Sequence, residues 1–107
     1  MITLEKKDSI YFLTMDAEEN RWNTKFVRNI AEALDEIEID EGPGALITSS
    51  TNPKFFSNGL DLDWMQSPEN HPDGGDREVF GEEFMHLMGR VITLPIPTVC
   101  AINGHAF

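Results

Sequence analysis

The sequence predicts an α/β fold, and three observations carry that prediction. Short runs of β-formers are bounded by turn residues, and two longer stretches place apolar residues at helical spacing. The helical stretches alternate with apolar strands, an order that favours right-handed βαβ crossovers. A chain of 107 residues holds one such domain and not two.

Taken in order, Ile2 to Lys6 and Ile10 to Met15 read as a hairpin across the turn-like Lys7-Asp8-Ser9. From Asn23, an N-cap residue type, apolar positions recur at Phe26, Ile30, Ala33, Leu34 and Ile37, so a helix is expected to run until Gly42-Pro43-Gly44. Ala45 to Ser49 is a short apolar run between turn signals, which suits a strand covered on both faces. Pro68 to Gly75 reads as a polar loop. Val79, Phe80, Phe84, Leu87, Met88 and Val91 then trace one face of a second helix, which Pro95 and Pro97 stop. A last strand is expected at Thr98 to Ile102. It runs straight into Asn103-Gly104-His105-Ala106-Phe107, where a connection to further structure belongs, so the chain reads as an incomplete enzyme.

Composition narrows the function. Eight basic against nineteen acidic residues give a net charge of −11, which repels phosphate backbones and anionic membranes, so no nucleic-acid or membrane partner is expected. An anionic ligand needs local basic groups or backbone N–H donors to overcome that field. The single cysteine, Cys100, lies in an apolar run and reads as a buried core residue, in keeping with a reducing compartment. No apolar run approaches membrane-spanning length, and the first residues carry no signal core or Arg/Ser-rich presequence.

The informative segment is Lys54-Phe55-Phe56-Ser57-Asn58-Gly59-Leu60-Asp61-Leu62-Asp63-Trp64-Met65. Gly59 allows a tight turn and close approach to a ligand. If the chain is helical from Asp61, the N–H groups from Gly59 to Asp61 lack intrahelical acceptors and can hold an oxyanion. The same residues also make an ordinary turn followed by a helix.

Phe56-Ser57-Asn58-Gly59-Leu60-Asp61-Leu62 resembles the signature of the crotonase (enoyl-CoA hydratase/isomerase) superfamily. Asn20-Arg21-Trp22-Asn23 before the first helix, and Leu94-Pro95-Ile96-Pro97 leading through a strand to Asn103-Gly104-His105, are similar to flanking family segments in the same order. The signature looks most like the peroxisomal-type Δ3,Δ2-enoyl-CoA isomerases.

That resemblance implies a crotonase-like ββα spiral fold, truncated here before the second oxyanion-hole turn, with residues 1–107 as the N-terminal part of a single domain. It implies an acyl-CoA substrate whose thioester oxygen sits between two backbone N–H donors, the first of them Leu60. A carboxylate removes a proton from C2 of a 3-enoyl-CoA and a proton returns to C4. The second donor and the catalytic glutamate would lie beyond Phe107, so this chain is expected to bind or support its substrate without turning it over. Substrate contacts carry over to Arg21, Trp22, Asn23, Lys54, Ser57, Asn58, Gly59, Leu60 and Asp61. Asp63 departs from the basic residue found there in many hydratases. No separate cofactor is implied, because coenzyme A is part of the substrate. The resemblance also implies a homotrimer for the full-length form and a peroxisomal location, with cytoplasm or mitochondrion as alternatives. A hydratase of the same superfamily and a non-catalytic acyl-CoA-binding module are the rival functions.

Other candidates read more simply. His71, His86 and His105 show no metal-ligand spacing, and no metal is expected. His86 reads as a surface or boundary residue, while His105, next to the expected oxyanion turn, is open to a structural or a functional role. Glu82-Glu83 and the acidic run Glu36 to Glu41 read as solvated helix faces rather than acid–base pairs. Trp64 and Met65 suit either an acyl pocket or core packing.

Overall fold

The computed structural model describes residues 1–69 and, from Gly75, the rest of the chain. The elements run β1 (Ile2–Lys7), β2 (Ile10–Met15), α1 (Thr24–Ile39), β3 (Ala45–Ser50), β4 (Phe55–Ser57), α2 (Leu62–Gln66), α3 (Gly75–Thr93), β5 (Thr98–Cys100) and β6 (His105–Ala106). Most of the expected Pro68 to Gly75 loop, with His71, lies outside the described residues.

The hairpin forms because Asp8 and Ser9 both take left-handed backbone, with φ of 52° and 68°, the twist that a two-residue turn between strands requires. β1 pairs antiparallel with β2 from Ile2 opposite Met15 to Lys7 opposite Ile10. β2 then pairs parallel with β3, and β3 with β5, giving a four-stranded sheet in the order β1-β2-β3-β5. Parallel neighbours need crossovers, and α1 supplies the one between β2 and β3.

Helix α1 starts where Asn23 Oδ1 accepts the Phe26 N–H at 2.9 Å, and it ends where the Asp40 N–H returns to the Ile37 carbonyl. Its buried stripe is Phe26, Val27, Ile30, Ala33, Leu34 and Ile37. These residues pack with Tyr11, Leu13 and Met15 of β2, Leu46 of β3, Phe80 and Leu87 of α3, and Leu94. Each large side chain so buried contributes roughly 1.5–3 kcal/mol. Trp64 and Met65 pack against this core, with the Trp64 ring 5.5 Å from that of Phe80.

Three expectations are corrected. Only Leu46 of β3 is fully buried, so this strand is not covered on both faces. The last sheet strand ends at Cys100 instead of Ile102. Cys100 is exposed and not a core residue, because β5 is the outer strand of the sheet and none of its residues is buried. Beyond it, His105–Ala106 pairs parallel with Phe55–Ser57 in a separate two-stranded sheet. Gly104 makes that approach possible, since a Cβ there would lie 2.3 Å from the Lys54 carbonyl oxygen.

Candidate functional site

The signature loop is held from one side by residues 19–23. Asn20 is fully buried with φ of 53°, and its Oδ1 accepts the Ala17 N–H at 3.0 Å. Its Nδ2 donates to Ser50 Oγ at 2.8 Å and to the Phe56 carbonyl at 3.1 Å, while its own carbonyl accepts Ser57 Oγ–H at 2.8 Å. The Asn20 Nδ2 and carbonyl therefore join this segment to β3 and β4, while its Oδ1 and N–H close the turn on Ala17, so the buried amide is fully used.

Trp22 then lies alongside Leu60 in a parallel bridge. The Trp22 N–H donates to the Gly59 carbonyl at 2.8 Å, and the Asp61 N–H donates to the Trp22 carbonyl at 3.0 Å. Such a bridge bonds to the residues on either side of Leu60 and turns the N–H of Leu60 itself away from Trp22. Of the three amides expected to lack acceptors, two are therefore capped. Asp61 donates to Trp22, and the Gly59 N–H reaches Ser57 Oγ at 3.3 Å. The Leu60 N–H makes no hydrogen bond among the described residues. Leu60 as a residue is 42 % exposed.

Gly59 adopts φ of 76°, a conformation that favours glycine, and a Cβ built on it would sit 3.3 Å from the Phe107 Cβ. The Phe107 N–H donates to the Ser57 carbonyl at 3.0 Å, so the chain after Asn103-Gly104 runs beside the signature loop. The ring of His105 lies between those of Phe55 and Phe107, at 5.7 and 5.8 Å.

Beyond the glycine, Asp61 caps α2 by accepting the Trp64 N–H at 3.1 Å, and its other oxygen accepts Asn23 Nδ2 at 3.0 Å. The N-caps of α1 and α2 are thus bonded to each other. Trp22 packs edge-on against Phe26 and Phe84, with centroids 4.8 and 5.2 Å apart. The side chains of Trp22, Asn23 and Asp61 are accordingly engaged in packing and capping.

Arg21 remains at the surface, where its Nε donates to Glu19 Oε2 at 2.7 Å. Together with Lys25, Asn23 and Asp61 it lines an open, polar cavity of about 230 Å³. Lys54 is exposed, with its ammonium 5.2 Å from the Phe55 ring centre.

Glu19, to which sequence reasoning assigned nothing, accepts Asn58 Nδ2 at 3.0 Å as well as Arg21, and its carbonyl accepts the Asn58 N–H at 2.9 Å. The Asn58 hydrogen bond first, then the Arg21 guanidinium, holds its carboxyl below the ordinary carboxylate range. No signal within the signature points to Glu19, because its partner is 39 residues away.

Several acidic residues elsewhere have structural partners. Glu83 pairs with Arg28, Asp35 and Glu38 pair with Arg90, and Asp40 receives both Lys6 and Tyr11. His86 is exposed on α3. No cluster of three or more metal-ligating side chains occurs among the described residues. Among the same residues, no helix is long and apolar enough to cross a membrane.

Comparison with known proteins agrees with this geometry. The chain is 32 % identical over 108 residues to enoyl-CoA delta isomerase 2, peroxisomal, of Arabidopsis thaliana, covering 99 % of this chain and 45 % of that protein. It is also 32 % identical over 109 residues to a putative enoyl-CoA hydratase of Thermus thermophilus, covering 99 % and 42 %. Among solved structures, an enoyl-CoA hydratase from Mycobacterium ulcerans Agy99 superposes with a TM-score of 0.83 at 27 % identity, over 98 % of this chain and 44 % of that one. The chain thus spans less than half the length of these relatives. The enoyl-CoA hydratase/isomerase family matches residues 5–107, nearly the whole sequence, and the α/β arrangement around the Gly59 loop is that of its crotonase fold. The chain belongs to the enoyl-CoA hydratase/isomerase family.

Proposed function

We propose that this chain forms the front half of an enoyl-CoA isomerase site, one that shifts the double bond of a 3-enoyl-CoA to the trans-2 position during unsaturated fatty-acid oxidation. One observation carries the reading: beside Gly59 the Leu60 N–H has no acceptor among the described residues, while its neighbours are capped. A backbone donor held rigidly in this way favours the dienolate oxygen that develops in the transition state over the neutral thioester carbonyl, which is how such a group lowers a barrier. The base that removes the C2 proton and the second donor are expected from sequence beyond Phe107. The Phe107 backbone lies beside Gly59, which supports placing that second donor nearby.

The remaining contacts follow from position. Backbone at Ser57, Asn58 and Leu60 lines the adenine and pantetheine path. Lys54 meets the coenzyme A phosphates as an exposed point charge, and Arg21 flanks the nucleotide at the polar cavity. Asn23, Gly59 and Asp61 contribute by shaping the loop, and Trp22 by its backbone. Coenzyme A belongs to the substrate, so no separate cofactor takes part. The peroxisome is the proposed location, in keeping with the name of the Arabidopsis isomerase, and a homotrimer for the full-length form is proposed from the family resemblance alone.

A hydratase is the second reading, favoured by the equal identity to the Thermus protein. Titration calorimetry of the purified chain with a 3-enoyl-CoA, alongside a double-bond migration assay, tests the proposal. Binding without migration by the chain alone is expected. Absence of binding to any acyl-CoA would sink the assignment.

A further inference from the structure

Glu19 sits in a conformation that its neighbours enforce. Glu18 and Asn20 on either side both take left-handed backbone, with φ of 55° and 53°. Asn tolerates that region through its short polar side chain, but Glu adopts it uncommonly. The turn is held by the bonds of buried Asn20 and by Asn52 Nδ2, which donates to the Glu18 carbonyl at 2.8 Å. Its result is that the backbone carbonyl and the carboxylate of Glu19 both face Asn58, two residues before Leu60. Backbone strain at Glu18 and Asn20, retained by a tight surrounding network, is a reason to look for a function in the residue the turn presents between them.

From this geometry we infer that Glu19 is a positioning residue of the thioester site: with the Trp22 N–H holding the Gly59 carbonyl on one side, its two-point grip on Asn58 completes the fixing of the peptide plane that carries the Leu60 N–H. The inference rests on the proposed role of Leu60 as oxyanion donor. The Trp22 bridge alone constrains residues 59 and 61 from one side, and Gly59, the first of the two, is the most pliable residue of the loop. Asn58 is the next residue back from that pliable point, so anchoring it removes the freedom that Gly59 would otherwise allow. Glu19 also holds Arg21 by its Nε, and the test must separate aiming the amide from holding the guanidinium.

The affinity ratio between butyryl-CoA and coenzyme A achieves that separation, because Arg21 faces groups common to both ligands and only the thioester oxygen engages Leu60. Wild type is expected to prefer butyryl-CoA, with the ¹⁵N–¹H resonance of Leu60 shifting on its addition and not on addition of coenzyme A. Glu19→Ala is expected to reduce the preference about tenfold, the worth of a hydrogen bond to a charged group. Glu19→Gln keeps an acceptor for the Asn58 amide and is expected to restore most of it. Asn58→Ala deletes the other half of the side-chain bond, leaves the backbone bond and is expected to match Glu19→Ala, which decides the matter if that variant does not fold. A wild-type preference that survives both Glu19→Ala and Asn58→Ala overturns the positioning role alone. Equal wild-type affinity for the two ligands overturns the thioester reading itself, and the positioning role with it.

Discussion

Asn20 shows how much of this site depends on a residue that touches no ligand. Its amide joins the β2–α1 connection to Ser50 and Phe56, 30 and 36 residues away, in a position with no access to water. Truncation leaves several of those groups without partners, so Asn20→Ala is expected to destabilise the chain by about 3 kcal/mol, read from chemical denaturation. A loss below about 0.5 kcal/mol, the range of ordinary surface changes, would contradict the bonding described. Gly59 and Leu60 were legible in the sequence as a turn with open amides, but which amide stays open was not. That choice is made by the Trp22 carbonyl, which takes the Asp61 N–H, and by Ser57 Oγ, which takes that of Gly59. Glu19 and Asn20 were illegible as site residues for the same reason, since long-range partners leave no local pattern.

At the scale of elements, the helices, the hairpin, β3 and β5 could be read, and β4 and β6 could not. The 3.6-residue apolar period marked α1, with Asn23 as its cap, and turn chemistry marked the β1–β2 hairpin. β4 and β6 escaped because three- and two-residue strands carry no period, and their pairing spans some fifty positions. Gly104 governs that pairing through the contact it permits with the Lys54 carbonyl, which is backbone and cannot swing aside. Gly104→Ala is therefore expected to cost about 1–3 kcal/mol and to speed amide exchange at His105 and Phe107, whose N–H groups bond to Lys54 and Ser57. Unchanged protection at both amides would show that the two strands tolerate a wider separation. Cys100 is a lesson at this scale too: an apolar local run predicted burial, but strand order placed it at the sheet edge.

For the molecule as a whole, the net charge of −11 makes stability sensitive to pH, and one contact ties the end of α1 to the sheet. Asp40 accepts from Lys6, Tyr11 and the Gly42 N–H, and the Lys6 bond foremost holds its carboxyl far below the usual range. A carboxylate with a depressed folded-state pKa stabilises fully above its unfolded value, about 4, and loses that contribution as pH falls through the folded value. The stability gap between wild type and Asp40→Asn is therefore expected to be constant near neutrality and to shrink as the solution becomes strongly acidic. A gap that stays constant to the lowest pH at which both fold would remove Asp40 from the account. The most direct test of the site remains the Leu60 amide. Replacing the Gly59–Leu60 amide by an ester deletes that N–H and keeps both side chains. The ester also weakens the Gly59 carbonyl as acceptor for Trp22, so thermal unfolding must accompany the binding measurement. A folded ester variant is expected to bind butyryl-CoA more weakly, by up to about tenfold, while coenzyme A affinity stays unchanged. Undiminished butyryl-CoA affinity in that variant would contradict the claim that Leu60 receives the thioester oxygen.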